Sequence, residues 1–173
     1  RVNDMMRFSD NVLAETLSVE LSLATGGPGT LDAGAAAIVK TLTDKGFDTT
    51  GVTLHDASGL SYANRVPARV LDDLMSGIAG PNHLQLRVLL DGLPIASGTG
   101  TLADRFDPRK TSGAGWVRAK TGTLTGVSSL TGIVQTVDGR VLTFALMSNG
   151  TSPDVARPAL DAVVGKIRDC GCR

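Results

Sequence analysis

Three strand-like runs follow one another in the second half of the chain, and their order limits what it can fold into. In Trp116-Val117-Arg118-Ala119-Lys120-Thr121-Gly122-Thr123-Leu124, residues Val117, Ala119 and Thr121 alternate with Arg118, Lys120 and Gly122. That two-residue period belongs to a strand with two unlike faces. Gly126 turns the chain back, and Ser128 to Val137 and Val141 to Ser148 flank Asp138-Gly139, a strong hairpin signal. Pro153 to Ile167 then reads as an amphipathic closing helix lined by Val155, Leu160, Val163, Val164 and Ile167. The expectation is an antiparallel sheet with a helix packed on it.

The first half is mostly helical. Residues 4 to 23 place Met5, Phe8, Val12, Leu13, Leu17, Leu21 and Leu23 at helical spacing. Asp10 and Asn11 can break that helix or cap a new one at Val12, with Glu15 near its favourable N-terminal end. Leu31 to Lys45 reads as a second helix with Ala35, Ile38, Val39 and Leu42 on one face, stopped by Gly46. Val52-Thr53-Leu54 reads as a short buried strand. It leads into His55-Asp56-Ala57-Ser58-Gly59-Leu60-Ser61, a turn-rich segment suited to side-chain-to-backbone hydrogen bonds. Val66-Pro67-Ala68 opens a helix ending near Gly77, Leu84 to Leu90 reads as extended, and Gly98 to Leu102 starts a short helix. Helices early and antiparallel strands late make the predicted class α+β.

A length of 173 residues suits one ordinary domain or the larger part of one. With aromatics at only 3%, the core must be built from Ala, Val, Leu and Ile. Net charge is zero and Arg109-Lys110 is the longest basic block, so nucleic-acid binding through a basic surface is unsupported. No apolar run is long enough to span a bilayer. The first residue is Arg1 rather than methionine, which leads us to expect a chain already trimmed at its N-terminus. Cys170 and Cys172 have no second ligand pair nearby, so the Cys-Gly-Cys tail reads as a structural or labile disulfide rather than a zinc site.

Two short motifs carry chemistry. Ser9-Asp10-Asn11 and Lys120-Thr121-Gly122 stand 111 positions apart (120 minus 9), and such elements occur together in active-site serine enzymes that recognise penicillins. The Ser9 hydroxyl can relay a proton, and Asn11 can donate to a substrate carbonyl and accept from a neighbouring lysine. Lys120 can depress the pKa of a neighbouring lysine or hydroxyl and steer a carboxylate. Hydroxyls of Thr121 and Thr123 can bond that carboxylate, the Thr123 N–H can serve an oxyanion, and Gly122 leaves room for a ligand against the strand. The same residues also read structurally, Ser9-Asp10-Asn11 as a plain helix N-cap and Lys-Thr-Gly as a hairpin shoulder. None supplies a nucleophile with its own base, and no serine is followed three positions on by lysine.

On these motifs the chain resembles the C-terminal part of the class C low-molecular-mass penicillin-binding proteins, the D-alanyl-D-alanine carboxypeptidase/endopeptidases of peptidase family S13. The resemblance also takes in Asp56-Ala57-Ser58-Gly59-Leu60-Ser61 with Asn64-Arg65, where Ala57 replaces the family's usual glycine, and Gly100-Thr101-Leu102. It implies a penicillin-binding-protein/serine β-lactamase-like transpeptidase domain acting through an acyl-enzyme on D-Ala-containing peptidoglycan stem peptides. It also implies acylation by β-lactam antibiotics, no metal or other cofactor, and export to the periplasm or cell wall, with membrane attachment left open. Ser9, Asn11 and Lys120 carry over as catalytic residues, and Thr121, Gly122 and Thr123 as substrate-binding ones. The nucleophile helix with its Ser-x-x-Lys is expected upstream of Arg1, so the N-terminal portion of the same protein is an expected partner. A binding-class alternative is a catalytically inactive domain that holds peptidoglycan or a protein partner. A class A β-lactamase fits less well, because Glu20 is the last glutamate and no deacylating glutamate loop can lie between it and Lys120.

Overall fold

The computed structural model describes residues 1–170. Cys172 lies outside them, and with it the expectation for the Cys-Gly-Cys tail. At the centre is an antiparallel three-stranded sheet in the order β1 (Val117–Leu124), β2 (Val127–Gln135), β3 (Val141–Asn149). Register sets Val117 opposite Val134, Lys120 opposite Thr131 and Gly122 opposite Ser129 in the first pair, and Leu130 opposite Leu146 in the second. Gly139, at φ 82°, takes the left-handed position of the hairpin turn, and Thr136 closes the turn by donating its N–H to the Arg140 carbonyl at 2.8 Å.

Alternation along the strands gives the sheet two faces. Val117, Ala119, Leu130, Val134 and Phe144 form a buried core with Leu160 and Val164 of α6 (Pro153–Asp169). The opposite face meets α4 (Ala68–Ala79), whose Ser76 hydroxyl lies 3.0 Å from that of Thr143. Gly132 faces the α6 side directly across from Ala119. A Cβ there would strike the Arg118 carbonyl oxygen and sit 2.6 Å from the Ala119 Cα. Since the obstacle is backbone, Gly132→Ala is expected to cost about 2 kcal/mol, which a urea titration of the two chains would read as an earlier midpoint at unchanged slope.

Residues 4 to 23 divide into two helices at Ser9 and Asp10, where Asp10 and Asn11 offered a break. α1 (Val2–Phe8) ends where Ser9 turns left-handed at φ 56°, and α2 (Asn11–Ala24) starts on Asp10, whose carboxylate accepts from the Leu13 N–H at 2.9 Å. That break resets the helical phase. Phe8, Val12 and Leu23, expected on the apolar face, are therefore exposed. What α2 buries is small, Ser18 and Ser22, and α3 (Leu31–Asp44) buries Gly34, Ala35 and Ala37. A Cβ on Gly34 would strike Ser18, so the two helices approach by lacking side chains.

Three other expectations are corrected. Val52 to Leu54 is not a strand: Thr53 and Arg65 exchange one pair of 2.8 Å hydrogen bonds as an isolated bridge, and Pro67 two residues on has no N–H to extend it. Leu84 to Leu90 is helical rather than extended, in a 3₁₀ turn (Leu84–Leu86) followed by α5 (Leu89–Gly92). No strand or bridge among the described residues pairs with that segment, and Leu84 and Val88 stay exposed. In α6, Val155 and Val163 face solvent, while Ala156, Leu160 and Val164 face the sheet. No helix among the described residues is long and apolar enough to cross a membrane.

Candidate active site

Strand β1 is half covered along its outer edge. Ala119 donates its N–H to the Pro94 carbonyl and Ala96 donates to Val117, both at 3.0 Å. Beyond Ala119 the neighbouring segment departs, and alternation leaves the backbone groups of Thr121 and Thr123 on the uncovered side. Lys-Thr-Gly therefore sits where the edge opens, beside a cleft of about 1000 Å³.

The cleft is assembled from distant parts of the chain. Ser9, Asn11, Lys120, Thr121, Gly122 and Thr123 all line it. The Lys120 ammonium donates to the Ser9 hydroxyl at 2.6 Å, spanning 111 positions, and to the Thr121 carbonyl at 2.8 Å. The left-handed turn at Ser9 lifts its hydroxyl out of the α1–α2 run toward β1. Gly100, at φ 60°, permits this approach, because a Cβ on it would strike the Arg7 carbonyl oxygen at the end of α1. Burial pushes the Lys120 ammonium down from its usual 10.5 to about 8. An amine so placed holds a proton near neutrality and gives it up readily, as proton-transfer chemistry requires. A Cβ on Gly122 would meet the Ser129 hydroxyl, so the glycine keeps this part of the cleft clear.

The other strand face carries hydroxyls. Thr121 donates to the Thr101 hydroxyl at 2.9 Å, and the Arg157 guanidinium donates to the Thr123 hydroxyl at 3.1 Å. Thr101, on the 3₁₀ turn Gly100–Leu102, and Arg157, in the second turn of α6, also line the cleft. Arg157 was not singled out from sequence. Its one local signal is that Arg157 and Asp161, four apart, border the apolar stripe of Ala156, Leu160 and Val164.

Asp56 to Ser61 is a built turn beside the cleft. The Asp56 carboxylate accepts from Gly59 N–H at 2.8 Å, Ser61 N–H at 2.6 Å and the Asn64 amide at 2.7 Å. Burial works against that carboxylate, yet the bonds from Asn64, Gly59 and Ser61 outweigh it and hold the carboxyl below its usual range. Glu15 of α2 ties the turn down by accepting from Ser58 N–H at 2.9 Å and Ala57 N–H at 3.2 Å. Ser58 and Leu60 thereby become part of the cleft wall. No group of three or more potential metal ligands occurs among the described residues.

Known proteins resemble the chain in sequence and fold. The family model described as D-Ala-D-Ala carboxypeptidase 3 (S13) matches residues 1–169. Carboxypeptidase DacB of Mycolicibacterium smegmatis is 45% identical over 99% of this chain, which spans 38% of that protein. The D-alanyl-D-alanine carboxypeptidase of an Actinomadura strain is 37% identical over 95% of the chain, spanning 30% of that protein. Among solved structures, penicillin-binding protein 4 of Haemophilus influenzae, complexed with a β-lactam, superposes at a TM-score of 0.86 with 26% identity. There the match covers 97% of this chain and 41% of that one. An ancestral class A β-lactamase shares the fold at a TM-score of 0.66 and 20% identity. The sheet with its flanking helices is accordingly the penicillin-binding-protein and class A β-lactamase architecture, as expected. The chain thus spans less than half the length of these carboxypeptidase relatives, and within that span it belongs to the D-Ala-D-Ala carboxypeptidase 3 (S13) family.

Proposed function

We propose that this chain supplies half of the active site of a serine D,D-carboxypeptidase/endopeptidase that acts on D-Ala-terminated peptidoglycan peptides and is acylated by β-lactams. The observation that carries the reading is the 2.6 Å contact between Lys120 and Ser9 beside the open half of β1. A peptide lying along that edge gains main-chain hydrogen bonds from Thr121 and Thr123, as in strand addition. In the reaction, a serine hydroxyl attacks the penultimate D-Ala carbonyl and an ester forms. The terminal D-Ala leaves as the amine after taking up a proton, and water then hydrolyses the ester and restores the hydroxyl.

Ser9 and Lys120 are suited to carrying that proton, and Asn11 to orienting the peptide amide. The attacking serine and its lysine come, on this reading, from a Ser-x-x-Lys segment outside these 173 residues. Such peptides lie outside the cytoplasm, so the reading also proposes an exported protein.

Labelling with a fluorescent penicillin, followed by intact mass, tests the proposal on this chain and on the longer protein. The expected result is no adduct on the 173-residue chain and a stable acyl adduct on the longer protein, outside this sequence. An adduct on Ser9 or Ser61 would contradict the external nucleophile. No adduct on either protein would favour an inactive domain that binds peptidoglycan or a protein partner.

A further inference from the structure

The two sides of β1 divide the cleft's cationic groups between them. Lys120 and Thr121 are consecutive in a strand, so their side chains leave opposite faces. Lys120 turns to Ser9, whereas Thr121 and Thr123 face the side covered by α6. On that side stand the hydroxyls of Thr101, Thr121 and Thr123 and the guanidiniums of Arg157 and Arg105. Thr101 and Thr121 are joined at 2.9 Å, and Arg157 donates to Thr123 at 3.1 Å. None of the ion pairs among the described residues includes Arg157. Its neighbour Arg105, by contrast, is held by Asp161. The Arg157 backbone is fixed as well, since its carbonyl accepts from Arg105 at 3.3 Å.

We propose that Arg157, rather than Lys120, is the counter-ion for the terminal carboxylate of the peptide, with Thr101, Thr121 and Thr123 as its hydroxyl partners. The assignment rests on the peptidase reading and deepens it. A planar guanidinium suits a carboxylate that must be held in one orientation. It also frees Lys120 for the proton side of the cleft, where a bound carboxylate would otherwise hold its ammonium charged.

The test compares wild type, Arg157→Gln and Arg157→Lys in the full-length protein on two peptides. One ends in D-Ala-D-Ala with its free carboxylate, and the other is the same peptide as the C-terminal amide. For Arg157→Gln, kcat/KM on the acid is expected to fall about 30-fold, mostly through KM, as loss of one charge-assisted contact implies. On the amide the same variant should stay within about threefold of wild type, and Arg157→Lys should recover part of the loss on the acid. Equal losses on acid and amide overturn the assignment and leave the peptidase reading standing, because a merely structural arginine does not distinguish the two ends. A wild type that turns over neither peptide overturns the peptidase reading itself and this assignment with it.

Discussion

Lys120→Met in the longer protein is expected to slow acylation by a β-lactam about a thousandfold, while the variant chain melts above wild type at pH 7. The first effect follows from position. Lys120 donates to Ser9 at 2.6 Å, and removing a proton-relay group of this kind costs on the order of 10² to 10⁴ in rate. The second follows from burial. The Lys120 ammonium is pushed down to about 8 from 10.5 in the folded chain, so the unfolded chain binds more protons between those two pH values. Stability of the wild type therefore rises as pH climbs through that window. Below it the buried charge is carried at full cost, which methionine removes.

The advantage of Lys120→Met should then shrink as pH rises from 8 toward 10.5. Thermal melts of both chains across that range, paired with stopped-flow acylation at pH 7, check both halves. A variant less stable than wild type at every pH would mean that the ammonium holds the cleft together. In that case the functional loss would have a structural cause.

Local pattern reveals local elements here, and it stops where contacts are long-range. The strand at Lys120 and the hairpin around Asp138-Gly139 were legible because alternation and a left-handed glycine leave a signature within a few residues. The family motifs were legible for a different reason, since four short patterns in order are specific as a set. Three features were not visible. The α2–α3 contact uses Ser18 and Gly34, residues that a search for apolar stripes passes over. Leu84 to Leu90 has an alternating apolar pattern with no strand to pair with, so tertiary surroundings overrode propensity. Arg157 reaches Thr123 across 34 positions, and nothing in the helix around it marks the contact. Even the Ser9 turn was only half visible. Asp10 and Asn11 announced a cap, whereas the left-handed Ser9 that aims the hydroxyl has no sequence signature.

The second large effect is expected at a pair that sequence reading missed entirely. Asp161→Ala should lower stability by about 3 kcal/mol, which for a chain of this size is a fall of about 10 °C in Tm. Arg105 grips the Asp161 carboxylate with two nitrogens, Nη2 to Oδ1 at 2.5 Å and Nε to Oδ2 at 3.1 Å, and both side chains are largely buried, at 14% and 12% exposure. The same carboxylate accepts from the Phe106 N–H at 3.4 Å. Phe106 is held at φ 59° and Ser97 at φ 54°, and the Ser97 hydroxyl donates to the Arg105 and Phe106 carbonyls at 2.8 and 2.7 Å. Left-handed backbone at non-glycine residues is costly and persists only where several contacts enforce it. Asp161 is one of those contacts.

Cutting it leaves a buried guanidinium without a partner and frees the segment that carries Thr101, so acylation should slow along with the loss of stability. Replacing both partners, as Arg105→Met with Asp161→Leu, separates the two effects. Removing a whole buried pair is close to neutral where apolar groups refill the volume, so the double variant should recover most of the lost Tm. If the double variant melts as low as Asp161→Ala, the ion pair itself, and not the unpaired charge, holds the loop on α6. If it recovers Tm but not acylation, the pair's remaining role is to set Thr101 and Arg157 at their distance from β1.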